Sequence, residues 1–221
     1  MSGNAIPLSS PIARDNYGTV IQLIKNILPS GLEIYPFGSA GKKDISGDID
    51  LFIEATDLMS IFSSADVKQG RKSLEEYFKK QGLCSNRSGV SVHVGVPFED
   101  AIIQIDFMAV DDAINLQKLH DHDYSNTLTN GKTIVSLWCD LANATSPTLM
   151  ISPYRGLVNR QTKELISIDK DEIAKIIISD DAIGDDMSSP DKILSALLNN
   201  QPKYKIIKEK YGNYQKIRTG I

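Results

Sequence analysis

Phe37-Gly38-Ser39-Ala40-Gly41-Lys42-Lys43-Asp44-Ile45-Ser46-Gly47-Asp48-Ile49-Asp50-Leu51-Phe52-Ile53 is the stretch on which the fold of this chain turns. It joins a small, flexible turn to two aspartates placed one residue apart at the head of an apolar run. On a strand, residues two apart point to the same side, about 7 Å apart at a rise of about 3.3 Å per residue. Asp48 and Asp50 therefore share one face, and Ile49, Leu51 and Ile53 take the other, toward a core. Two neighbouring carboxylates repel, and ionising both is unfavourable unless a cation or a shared proton relieves them. Mg²⁺ suits such a pair: it is a hard ion that takes one or two protein carboxylates and completes its octahedron with water and phosphate oxygens.

The residues just upstream supply the complement. A Gly38-Ser39 turn lets backbone N–H groups approach a phosphate closely, and a helix starting there would add a dipole that favours an anion. Lys42 and Lys43 follow and can neutralise phosphate charge. A second apolar run, Ala101–Val110, carries a single acid. Ala101, Ile103, Ile105, Phe107 and Ala109 form one face of it, which leaves Gln104, Asp106 and Met108 on the other, so Asp106 is available as a third carboxylate. Residues 89–96 alternate with period two, and Pro97-Phe98-Glu99-Asp100 reads as the turn of a hairpin. With that turn Ser91 falls opposite Asp106 and His93 opposite Gln104; His93 borders the site and is read as a structural strand residue.

An apolar residue, then Gly and Gly or Ser, a linker of about this length, and an acidic, apolar, acidic triplet resembles the signature of the nucleotidyltransferase superfamily. Its members include DNA polymerase beta, CCA-adding enzymes, poly(A) polymerases and aminoglycoside nucleotidyltransferases. Phe37, Gly38, Ser39, Asp48, Ile49 and Asp50 fit that signature position by position, and Asp106 matches the family's third carboxylate on a later strand. The resemblance covers roughly residues 30–110. It implies an α+β fold, a nucleotidyltransferase-like mixed sheet flanked by helices. It further implies transfer of a nucleoside monophosphate from a nucleoside triphosphate to a hydroxyl acceptor, with release of pyrophosphate. In that reading Asp48 and Asp50 hold two Mg²⁺ ions, with Mn²⁺ as the alternative, and Asp106 binds the catalytic ion and serves the attacking hydroxyl. Such ions, about 3.5–4 Å apart, stabilise the entering and leaving oxygens. Gly38 and Ser39 would cradle the β- and γ-phosphates, with Lys42 or Lys43 as a nearby point charge. The acceptor stays open between an RNA 3′ end, a small alcohol and a protein hydroxyl. The alternative is a noncatalytic nucleotide-binding or regulatory module of the same fold, which the presence of all three acids speaks against.

A chain of 221 residues with 41% hydrophobic content has room for a catalytic domain, expected over 1–118. A mainly helical region, which would contact nucleotide or acceptor, is expected over 119–221. The net charge of −4 argues against a broad basic face for long nucleic acid. The exception is the end, where Lys203, Lys205, Lys208, Lys210, Lys216 and Arg218 interleave with Tyr204, Tyr211 and Tyr214. That pattern reads as a solvated amphipathic helix, with single-stranded nucleic acid as the functional alternative. Residues 169–191 are acidic. Cys84 and Cys139 have no metal-type spacing and read as reduced thiols. No secretory leader and no apolar run of the ~20 residues that span a bilayer is evident, so a cytoplasmic protein with no membrane partner is expected. His120-Asp121-His122-Asp123 reads as a polar loop rather than a ligand set. Tyr154, Arg155 and Arg160 are candidates for base stacking and phosphate contact.

Periodicity predicts a helix over 16–28 with Asp15 as its cap, a strand over 32–37, a helix over 58–82 and strands near 89–96 and 101–110. Beyond these it predicts helices over 112–119, 133–144, 154–165, 169–178 and 191–199. The run Ile176-Ile177-Ile178 admits a strand as well.

Overall fold

The computed structural model describes residues 5–125 and 130–219; the side chains of Tyr214, Lys216 and Arg218 in the basic tail lie outside what is described. Contacts divide the chain into two compact units, residues 1–117 and 118–221. The described residues are α+β, with a mixed five-stranded sheet in the first unit and a three-stranded antiparallel sheet in the second. No helix among them is long and apolar enough to cross a membrane.

In the first unit the described elements run β1 (Ile12–Ala13), α1 (Tyr17–Ile27), β2 (Tyr35–Phe37), β3 (Ile45–Ser46), β4 (Ile49–Glu54), α2 (Ala55–Ile61), α3 (Val67–Lys80), β5 (Cys84–Ser88), β6 (Ser91–Phe98), β7 (Ala101–Val110) and α4 (Ala113–Leu119). The sheet order is β2-β4-β7-β6-β5, and only the β4/β7 pair is parallel. β4 has a strand on each edge, and Leu51, Phe52 and Ile53 are all wholly buried, so both of its faces are covered along that apolar run. Ile49, Leu51 and Ile53 are wholly buried and join Val92, Val94, Ile103, Ile105 and Phe107 on one face of the sheet. Val20 and Ile24 of α1, Leu58 of α2, and Leu74 and Phe78 of α3 belong to the same core. Burial of each such side chain contributes roughly 1.5–3 kcal/mol. The other face carries Asp50, Phe52, His93, Gln104 and Asp106, and Phe52 stacks on Phe37 with ring centroids 3.7 Å apart.

Residues 5–13 form a strap on this second face. Asn86 Nδ2 donates to the carbonyl of Ala5 (2.7 Å), the amide of Ser10 donates to Ile102 O (2.8 Å), and β1 pairs with β3. The strap therefore ends on the linker between Gly38 and Asp48.

Several expected elements form differently. The helix expected over 58–82 is two helices, because Asp66 takes the N-cap position and accepts the amide of Gln69 at 2.8 Å. A strong capping residue inside an apolar period starts a new helix at that point. α3 ends as foreseen at Gly82: the amide of Gly82 donates to Lys79 O and that of Leu83 to Phe78 O, a Schellman arrangement. α1 continues directly from a short 3₁₀ turn, Arg14–Asn16, so neither Asp15 nor Asn16 caps it with a side-chain hydrogen bond. β5 has no apolar alternation to announce it; it is an edge strand held by backbone pairing to β6. The hairpin turn is two residues rather than four, since Phe98 pairs with Ala101.

In the second unit α5 (Gly131–Thr145) buries Ile134, Leu137, Trp138 and Leu141, and Asn130 caps it through the amide of Thr133 at 2.8 Å. β8 (Leu149–Ser152), β9 (Gly156–Asn159) and β10 (Leu165–Ser167) form the antiparallel order β10-β9-β8. α6 (Lys170–Ile177), α7 (Pro190–Ala196) and α8 (Gln201–Thr219) complete the described elements. The helix expected over 154–165 is instead β9, a turn and β10. Asn159 Oδ1 accepts the amides of Gln161 and Thr162, so a local side-chain bond makes the turn that a helix would have run through. Ile176 and Ile177 end a helix, capped at its start by Asp169.

Candidate metal centre

The pairing of β4 with β7 builds the centre. Asp50 lies directly beside Asp106 in the parallel register, and Asp48 precedes β4 by one residue. Each of these three acids presents a carboxylate oxygen within 4.8 Å of the others; Asp48 and Asp106 are buried and Asp50 half-buried. Among the described residues this is the only group of three or more acidic, histidine or cysteine side chains gathered so closely. All three donors are hard oxygens, as a small divalent cation requires, and three carboxylates in so small a space repel unless one is bound or protons are shared. The donor set thus fits Mg²⁺ or Mn²⁺.

Gly38 follows β2, whose last residue, Phe37, pairs with Asp50. Its φ is +80°, and a Cβ added there would stand 2.7 Å from Asp50 Oδ2. Glycine is required twice over: for the left-handed backbone and for the approach of the carboxylate. Beyond it the chain makes a single tight turn, with the amides of Lys42 and Lys43 both donating to Ser39 O at 3.0 Å. No helix starts here, so no helix dipole is added to the Gly38-Ser39 turn. Ser39 Oγ lies 3.0 Å from Ser46 Oγ, which draws the two ends of the linker together. Lys42 is exposed and Lys43 half-buried on that linker. Arg14, which the sequence reading passed over, holds it from the strap side by donating to Lys42 O at 2.5 Å and pairing with Asp44 at 3.1 Å.

Two further residues frame the centre. The two-residue turn puts His93, not Ser91, opposite Asp106, and Gly95 opposite Gln104. A two-residue slip preserves the face, so His93 still points to the acidic side. His93 Nδ1 lies 2.8 Å from Asp106 Oδ1, and Gln104 Nε2 donates to the same oxygen at 2.9 Å. His93 Nε2 in turn meets Ser88 Oγ at 2.8 Å. The signal that marks Gln104 in the sequence is its place on the Asp106 face of an otherwise apolar strand.

The other candidates take part in the fold of the second unit. Arg155 donates to Lys163 O, and Arg160 donates to the carbonyls of Pro147 and Leu149, so both guanidinium groups brace the small sheet. Residues 120–123 form a loop as expected, with Asp121 exposed, but His120 and His122 are buried in it, packed with Trp138 at centroid distances of 6.1 and 5.1 Å. Burial holds the His120 imidazole pKa down to about 4, opposed by its hydrogen bond to Pro153 O at 2.7 Å. On α8, Lys203 donates to Ile177 O, Lys210 pairs with Asp140 at 3.8 Å, and Lys208 lies over the Tyr204 ring.

No family model matches the chain, and no curated protein matches it.

Proposed function

We propose that this chain is a metal-dependent nucleotidyltransferase and that its first unit has the nucleotidyltransferase-like fold. The observation that carries the reading is the convergence of Asp48, Asp50 and Asp106, from two strands, within 4.8 Å beside the Gly38 turn. Asp48, Asp50 and Asp106 would hold divalent cations, which supply charge compensation for a triphosphate and for the oxygens that enter and leave its α-phosphorus. The reaction is an in-line displacement: an acceptor hydroxyl oxygen bonds to the α-phosphorus, the bond to the β-phosphate oxygen breaks, and pyrophosphate departs. Asp106 orients the attacking hydroxyl and accepts its proton as the new bond forms. Gly38 and Ser39 bring backbone to the triphosphate, and Lys42 and Lys43 add positive charge from the linker. Pre-organisation of this kind lowers the barrier because the groups need not rearrange as charge develops.

The test is incubation with each labelled nucleoside triphosphate, Mg²⁺ or Mn²⁺, and RNA, protein and small-alcohol acceptors. Label transfer that disappears in Asp48→Ala and Asp106→Ala is the expected result. Absence of transfer to any acceptor, with no Mg²⁺-dependent nucleotide binding, would overturn the proposal. Metal-dependent nucleotide binding without transfer would point to the noncatalytic module.

A further inference from the structure

The Asp106 carboxylate is held by a network that reaches the N-terminal strap, and its geometry assigns a direction to each bond of Gln104. Gln104 Oε1 accepts the amides of Ala5 (2.9 Å) and Ile6 (3.0 Å). Two N–H donors converge on one atom of the carboxamide, so that atom is the oxygen, and the NH₂ group faces Asp106. Gln104 Nε2 therefore donates to Asp106 Oδ1, and His93 Nδ1 lies 2.8 Å from the same oxygen, to which it donates when the carboxylate is ionised and can only accept. Gln104 is 1% exposed and Asp106 7%, so water is a poor substitute for these donors.

We infer that Gln104 and His93 are positioning residues for the metal: they saturate Asp106 Oδ1, fix the carboxylate plane and leave Oδ2 to face Asp48 and Asp50. Gln104 also ties that geometry to the docking of the strap, whose two amides orient its carboxamide. Metal affinity and strap docking are then linked, each favouring the other. The inference rests on the metal reading of the three acids.

The experiment titrates Mn²⁺ into the full chain and its variants and follows the free ion by electron paramagnetic resonance, with no substrate present. Gln104→Glu keeps an acceptor for both strap amides but turns a carboxylate toward Asp106 in place of a donor. Supporting bonds to metal ligands typically change affinity by roughly 10- to 100-fold, and a loss in that range is expected for Gln104→Glu and for His93→Ala. His93→Asn places an amide nitrogen where Nδ1 stood and is expected to recover most of the affinity. A purely structural role for His93 would not distinguish Asn from Ala in this way. Hydrogen exchange at Ala5 and Ile6 shows whether the strap stays docked in Gln104→Glu, and Mn²⁺ is expected to slow that exchange in the unaltered chain. Unaltered affinity in Gln104→Glu and His93→Ala overturns the positioning role and leaves the metal reading standing. A chain of natural sequence that binds no Mn²⁺ overturns both.

Discussion

Replacing Gly38 by alanine asks two separate things of the structure, and they can be measured apart. The first is conformational: an L side chain at φ +80° costs roughly 1–2 kcal/mol. For a unit of this size that lowers the melting temperature by roughly 4 °C for each kcal/mol. The second is steric. The new methyl would sit 2.7 Å from Asp50 Oδ2, and ordinary contact begins near 3.4 Å, so the carboxylate must retreat by about 0.7 Å. Metal–oxygen distances tolerate about 0.2 Å. The displacement is several times that tolerance, and Mn²⁺ affinity is expected to fall by roughly 10- to 100-fold. Gly82 provides the control, because it has the same φ of +80° and nothing within 4 Å of an added Cβ. Gly82→Ala is expected to lose similar stability and no metal affinity. Thermal melts in chelator and Mn²⁺ titration of both variants give the comparison. If Gly38→Ala binds Mn²⁺ as tightly as the natural chain, or if Gly82→Ala loses affinity equally, the steric argument is wrong.

Asp106→Asn keeps an oxygen to accept from His93 and Gln104 while removing one of three crowded negative charges. Metal-free stability is expected to rise by on the order of 1 kcal/mol, and added Mg²⁺ should no longer raise the melting temperature; a lower metal-free melting point would contradict the repulsion argument. In the second unit, His120 has a folded-state pKa of about 4 against about 6.5 for an open imidazole. The unfolded chain therefore binds the proton first, and stability is lost as pH falls from about 6.5 toward 4, by about 3 kcal/mol in full. Urea melts at pH 7 and pH 4.5 should show a smaller loss in His120→Gln than in the natural chain. Equal losses would remove His120 as the cause.

The face assignments were legible in the sequence because strand parity is a local property. Asp48 and Asp50 on one side, Ile49, Leu51 and Ile53 on the other, and Asp106 opposite Ile105 and Phe107 all follow from a period of two, whatever the strands pair with. The cap expected at Asp15 does not form, because that residue is taken up in a 3₁₀ turn, whereas Asp169, not singled out as a cap in the sequence, accepts the amide of Glu172 at the start of α6. Where two local signals competed, periodicity alone misled: Asp66 splits the long helix, and Asn159 turns the segment expected to be helical between Tyr154 and Leu165.

Pairing belonged to the tertiary structure, since nothing in either strand's own sequence states which residue of another strand it will meet. The parallel register of β4 and β7 sets Asp50 beside Asp106, and a loop two residues shorter than expected sets His93 against the same carboxylate. The contacts of Gln104 with the strap amides and the burial of His120 and His122 against Trp138 are likewise long-range. Composition and periodicity determined which side chains face together along each strand. Only backbone hydrogen bonding between distant segments, closed by burial of the opposite face, decided which of them stand within a cation's reach.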